Sequence, residues 1–210
     1  AAARDAGKIG HIGVTAHSAD ALRVLVEQYS DQLETVMFPF NIVENQGVET
    51  LRLARERGMG TIAMKPLAGG NLEDYALALR YIAAAGVCDI SIPGMGSPEE
   101  VDRNASVDLS APLTAEELSE CEAIRRELGE HFCRRCGYCA PCTVGIDIPS
   151  NFLMANYTRK YGLADWARGR YEGLAHHASE CVKCGACEKR CPYDLPIRQM
   201  LEGVAQVFGH

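Results

Sequence analysis

Eight of the ten cysteines stand in two clusters: Cys133, Cys136, Cys139 and Cys142, then Cys181, Cys184, Cys187 and Cys191, the last followed directly by Pro192. The first three of each set are offset by 48 residues and the fourth by 49, which predicts two similar loops facing one another. Cysteines three apart on a tightly turned backbone present three thiolates toward one object, while a fourth, redirected by a neighbouring proline, points elsewhere. A chain with this pattern must fold around something that takes thiolates, or else pair them. Structural zinc ordinarily uses two CxxC knuckles separated by a longer loop, so that four ligands reach a tetrahedron; the run here is denser, and four-cysteine zinc sites stand as the alternative. Disulfides require an oxidising compartment, whereas the chain shows no secretory segment and otherwise has the composition of an intracellular enzyme.

The second set reads CxxCxxCxxxCP, which resembles the spacing that bacterial-type ferredoxins use to hold cubane clusters. The resemblance implies two 4Fe-4S clusters. In two-cluster ferredoxins the fourth cysteine of each set ligates the other cluster, so Cys133, Cys136, Cys139 and Cys191 would hold one and Cys181, Cys184, Cys187 and Cys142 the other. The first set departs by one residue, running CxxCxxCxxC with Pro141 before Cys142. Cys88, in an apolar run, and Cys121, in a charged helix, read as packing residues.

Charge is divided along the chain. Of the net −7, residues 1–130 carry 11 Lys and Arg against 21 Asp and Glu, and residues 131–210 carry 10 against 7. A basic surplus suggests nucleic acid, but two oxidised four-thiolate cubanes would add about −2 each. Arg134, Arg135, Lys183, Lys189 and Arg190 therefore read as compensation for cluster charge or as a docking face for an acidic electron carrier, and nucleic acid is not expected as a partner. No apolar stretch approaches the ~20 residues of a membrane span.

Before the cysteines, strand-like runs alternate with amphipathic helices. The runs are HIGVTA (11–16), TVMFPFNIV (35–43), TIAMKPLA (61–68) and CDISIPGM (88–95), beginning 24, 26 and 27 residues apart. Between the first two, Leu22, Leu25, Val26 and Tyr29 follow helical spacing behind a Ser18 cap. Between the last two, Tyr75, Ala78, Leu79 and Ile82 do the same, ahead of Gly86 as a left-handed stop. Strands apolar on both faces that alternate with helices predict a parallel sheet covered by helices. Four βα units make half of an eight-fold barrel, whose open edges soluble proteins avoid. The expectation is a chain completed by a further barrel half, upstream of Ala1 or on a partner.

GKIGHIGVTAHS, FPFNIVEN, AMKPLAGG and SIPGMGSPEEVDRNAS resemble strands five to eight of an aldo/keto reductase, in order and with similar spacing, and the tail resembles the dicluster module fused to one branch of that family. The fold class this implies is α/β: the C-terminal half of a (β/α)8 TIM barrel over residues 1–113, a linker helix over 114–130, and an all-helical ferredoxin-like dicluster domain over 131–210. The linker helix is expected to start at Thr114, with Glu117 placed for a capping box. The resemblance also implies a cytoplasmic oxidoreductase using NADP or NAD, with a catalytic Asp, Tyr, Lys and His on the first four strands. The catalytic residues are thus unknown from these 210 residues, and the fragment alone is expected to be inactive.

Barrels of this kind build their sites where strands end, which makes candidates of Thr15, Ala16 and His17, of Asn41, of Met64 and Lys65, and of Gly94 to Ser97. Lys65, Asn41, Ser97 and Asn104 are the expected cofactor-binding residues; Asn104 matches an adenine-side asparagine of the family. Lys65 sits in an otherwise apolar run and must reach a mouth, an anion or a carboxylate to escape desolvation. Departures stand at Thr15 and Ala16, where the family places a Ser-Asn pair, at Met64, where an aromatic is usual, and at Gly94 and Met95, where a basic residue is common. Gly69-Gly70 and the GMGS stretch could bring peptide N–H groups near a phosphate. His17 reads as a strand-end cap, and His176 and His177 as surface groups. The function expected is an electron relay between an external carrier and a small molecule at the barrel mouth. A non-catalytic electron-transfer or interaction module is the alternative.

Overall fold

The four apolar runs form a four-stranded sheet in the computed structural model, which describes residues 2–129, 132–160 and 162–209. After a short helix α1 (Ala2–Asp5), the strands are β1 (Gly13–Thr15), β2 (Thr35–Pro39), β3 (Gly60–Met64) and β4 (Ile90–Ile92). All neighbours pair in parallel, with Val14 opposite Val36, Met37 opposite Ile62 and Ala63 opposite Ser91. Between successive strands run α2 (Ala19–Tyr29), α3 (Val48–Glu56) and α4 (Tyr75–Ala85). The expected caps are present: Ser18 Oγ accepts from the Ala21 N–H at 3.3 Å, and Gly86 ends α4 in the left-handed conformation.

Strand order β1-β2-β3-β4 follows chain order throughout. A doubly wound sheet reverses at a switch point, whereas a barrel keeps winding one way, so this sheet fits part of a (β/α)8 barrel. Val36, Phe38 and Ala63 of the sheet are fully buried together with Leu22, Val26, Leu51 and Ala54 of the helices. The strands are shorter than their apolar runs. β3 stops at Met64 because Lys65 and Ala68 adopt φ of 54° and 48°, which no strand accommodates. The last strand is an edge, with Ile90 and Ile92 exposed by 56% and 46%.

Beyond β4, α5 (Pro98–Ala105) and α6 (Ala115–Gly129) complete the first of two units, Ala1–Gly129 and Glu130–His210. The capping box of α6 forms: Thr114 Oγ1 accepts from the Glu117 N–H, and Glu117 Oε2 accepts from the Thr114 N–H at 2.8 Å. This is the helix expected as the linker between the domains. It packs on the first unit, where Arg125 donates to the Ile42 carbonyl at 2.9 Å and to the Tyr81 hydroxyl at 3.0 Å, and Arg80 pairs with Glu117. The expected boundary at residues 130 and 131 lies outside the described residues.

The second unit contains α7 (Ile148–Lys160), α8 (Ala164–Glu172), α9 (Ile197–Phe208) and two single 3-10 turns, Ala178–Glu180 and Glu188–Arg190, with no strand among the described residues. Its core is a repeat. Ile146, Ile148, Phe152 and Ala155 are buried, and so, 49 residues on, are Leu195, Ile197, Leu201 and Val204. Tyr171 of α8 is fully buried, stacks on Phe208 with ring centroids 3.9 Å apart, and its hydroxyl accepts from the Ala178 N–H. No described helix is long and apolar enough to cross a membrane.

Candidate functional site

The two cysteine loops share a backbone as well as a spacing. Arg135 and Lys183 take φ of 55° and 56°, and Gly137 and Gly185 take 80° and 74°, each pair 48 residues apart. Past the fourth cysteine, Gly145 and Asp194 are left-handed at 83° and 50°, now 49 apart. The extra residue therefore falls between the third and fourth cysteines of the second loop, where Glu188–Arg190 forms its 3-10 turn. The first loop crosses the same span over a cis Ala140-Pro141 peptide. At Gly145 the left-handed φ of 83° strains any side chain, and a Cβ would stand 2.8 Å from His176 Cδ2, so that ring would have to shift.

This geometry exchanges the fourth cysteines. Cys133, Cys136 and Cys139 line one cavity together with Cys191 of the other loop. Cys181, Cys184 and Cys187 line a second cavity together with Cys142. Ile148 faces both. Among the described residues no carboxylate lines either one; the charged neighbours are Arg134 at the first and Arg190 and Arg198 at the second, opposite in sign to thiolates. Arg190 donates to the carbonyls of Cys139 and Pro141, each at 2.7 Å, tying the second loop to the first. Arg134 is buried, with its guanidinium 5.0 Å from the Phe132 ring centroid and 4.4 Å from that of Tyr193. Among the described residues no three of His, Cys, Asp and Glu converge closely enough to hold a single metal ion. A donor set of four thiols around each cavity, with only cations for charged neighbours, fits a multinuclear iron-sulfur cluster.

The thiols differ in environment. Burial pushes Cys133 and Cys187 up, and Cys139 up to about 11. Cys184, which is exposed, shifts down, first because the Thr143 hydroxyl lies 3.1 Å from its sulfur and then because it faces the Ala186 N–H. His176 bonds Glu180 through Nδ1 at 2.8 Å, and His177 packs on Tyr171 and donates from Nε2 to its carbonyl.

In the first unit a cavity of about 410 Å³ opens beyond β3 and β4. Lys65, Gly69, Gly70, Gly94 and Asn104 line it, with Tyr75, Arg103, Glu73 and Glu100. Lys65 and Asn104, expected to bind cofactor, are thus brought together, and Asn41 and Ser97 are not among the lining residues. Asn41 is fully buried: its Oδ1 accepts from the N–H groups of Val43 and Glu44, and its Nδ2 donates to Glu44 Oε2 and to the Lys65 carbonyl at 2.8 Å. It orients the turn that carries Lys65 and has no donor left to offer a ligand. Ser97 caps α5 by accepting from the Glu100 N–H. The Gly96 N–H of the GMGS stretch, expected near a phosphate, donates to Glu100 Oε2 at 2.7 Å. Burial, then the Lys65 charge, lowers the His17 pKa.

Two family models match the chain, one in each unit. Residues 132–196 match the 4Fe-4S dicluster domain, and residues 1–76 match the aldo/keto reductase family. An aldo-keto reductase from Bacillus halodurans, solved in holo and apo forms, is similar in structure at 20% identity and a TM-score of 0.48, over 59% of this chain and 52% and 53% of those chains. The chain thus spans about half the length of these solved structures. Among curated proteins none matches.

The dicluster match contains all eight clustered cysteines and, apart from Ile197, Arg198 and Leu201, the residues that line their two cavities. The aldo/keto reductase match takes in β1 to β3, with His17, Asn41 and Lys65, and stops before Gly94, Ser97 and Asn104. Of the departures from the family pattern, Thr15 is exposed whereas Ala16 and Met64 are buried. Sequence reading missed several contributors. Glu44 is a fully buried carboxylate whose only sequence signal is its place three residues after Asn41. Arg103 sits 5.4 Å from the Tyr75 ring centroid, and both line the cavity. The Thr143 contact needs both loops folded before it exists.

Proposed function

We propose that this chain is part of an iron-sulfur oxidoreductase of aldo/keto reductase type, with one 4Fe-4S cluster on Cys133, Cys136, Cys139 and Cys191 and another on Cys181, Cys184, Cys187 and Cys142. The observation that carries this reading is the exchange of fourth cysteines, which gives each cavity three thiols from one loop and one from the other. Bound there, the clusters would supply one-electron transfer between an external carrier and a small molecule or nicotinamide at the barrel cavity.

The protein's own contribution is to hold and shield. Ile148 lines both cavities, Phe152 and Leu195 line the first and Leu201 the second, and Cys139 and Cys187 are themselves buried. The helical second unit serves as an all-helical ferredoxin-like module, and the cytoplasm keeps its thiols reduced. In the first unit Lys65 and Arg103 offer positive charge to an anionic ligand such as NADP or NAD, and Asn104 offers an amide. The apolar edge at Ile90 and Ile92 suits further strands, so the other half of the barrel is a partner of this sheet, and the catalytic groups lie on it.

Anaerobic reconstitution with iron and sulfide tests the reading. A broad absorption band near ~400 nm that bleaches with dithionite is expected. Zinc without iron, and no such band, would sink it.

A further inference from the structure

The two cluster sites are built from a repeat, yet a hydroxyl–sulfur contact at the second has a proline at the matching position of the first. Thr143 follows Cys142, and its Oγ1 lies 3.1 Å from Cys184 Sγ. Its repeat partner, 49 residues on, is Pro192, which follows Cys191 and has no side-chain donor. Pro192 lines the first cavity as Thr143 lines the second. Between a hydroxyl and a thiol either atom can donate. Once the sulfur is a cluster thiolate it carries no proton, and only Thr143 can donate.

We infer that Thr143 selectively raises the reduction potential of the cluster held by Cys181, Cys184, Cys187 and Cys142, an inference that rests on the function proposed above. Reduction adds negative charge that spreads onto the ligand sulfurs, so a hydrogen bond to one of them strengthens in the reduced state and favours it. The site is suited to this role. Cys184 and Thr143 are both exposed, so the bond sits where cluster charge meets solvent and the hydroxyl supports no buried packing. At the first cavity the corresponding edge is lined by Pro192 and Tyr193. Thr143 is thus a positioning residue that makes the two couples respond separately.

The test is potentiometry on the full chain with clusters reconstituted, followed by electron paramagnetic resonance. Thr143→Val, nearly isosteric, should shift the reduced-to-oxidised ratio of one couple about tenfold toward the oxidised form at fixed potential, equivalent to about 59 mV for one electron. The other couple should stay in place, and Thr143→Ser should restore the first. Two clusters present with neither couple moved by Thr143→Val, or both moved alike, or no recovery in Thr143→Ser, would overturn the inference while leaving the cluster assignment standing. Failure of the unaltered chain to take up iron and sulfide would overturn both.

Discussion

Lys65 illustrates how much a single residue's setting decides. Its left-handed φ ends β3 and turns it into the cavity lining, and that backbone is held by Asn41, whose amide donates to the Lys65 carbonyl. The place of Lys65 was legible because a lysine in an apolar run must escape desolvation. The role of Asn41 was not, because a strand-end asparagine reads the same whether it faces a ligand or knots a turn. In the fold its side chain makes four hydrogen bonds within the turn, one of them to the buried Glu44 carboxylate. Asn41→Ala should therefore destabilise the protein by about 2–4 kcal/mol, because buried groups lose their partners. Urea denaturation measures this; unchanged stability with weakened cofactor binding would return Asn41 to the ligand.

At the scale of elements, helix caps and βα spacing were readable because they are local: Ser18, Gly86 and the Thr114–Glu117 box act within a few residues of their helices. Strand lengths were not legible, since all four apolar runs continue beyond the paired residues, and in β3 the run passes the point where φ turns positive at Lys65. The contact partners of α6 were invisible, because Ile42 and Tyr81 lie far off in sequence. Asp89 makes another such long-range tie, joining the start of β4 to β3. Its carboxylate accepts from the N–H and hydroxyl of Thr61 and pairs with Arg55. The Thr61 N–H chiefly holds the carboxyl below its usual range, followed by the Thr61 hydroxyl and Arg55. A depressed folded-state pKa contributes stability above the unfolded value of about 3.9 and loses it as pH falls through the lower folded value. The stability advantage over Asp89→Asn should accordingly be full at pH 6 and shrink below about pH 4. Denaturation curves across that range check it, and an advantage that grows on acidification would contradict it.

For the whole molecule, the cysteine spacing conveyed more than any other feature, because each loop encodes its own turn and the repeat encodes the other. The one-residue mismatch that set Cys142 apart in the sequence is absorbed by the Glu188–Arg190 turn, and Cys142 lines the cavity with Cys181, Cys184 and Cys187. What the alternation of strands and helices could not convey is the chemistry at the barrel mouth, where Glu100 already occupies the Gly96 N–H and Arg103 faces Tyr75. The central claim is that two clusters are held by exchanged cysteines. Iron and acid-labile sulfide counted per chain, together with which cysteines stay protected from alkylation, in the unaltered protein and in Cys191→Ala, test it most directly. About eight of each are expected in the former, and in the latter the cluster on Cys181, Cys184, Cys187 and Cys142 should persist while the other becomes labile. Loss confined to the cluster on the second loop's own cysteines, or a chain holding zinc without sulfide, would contradict the account.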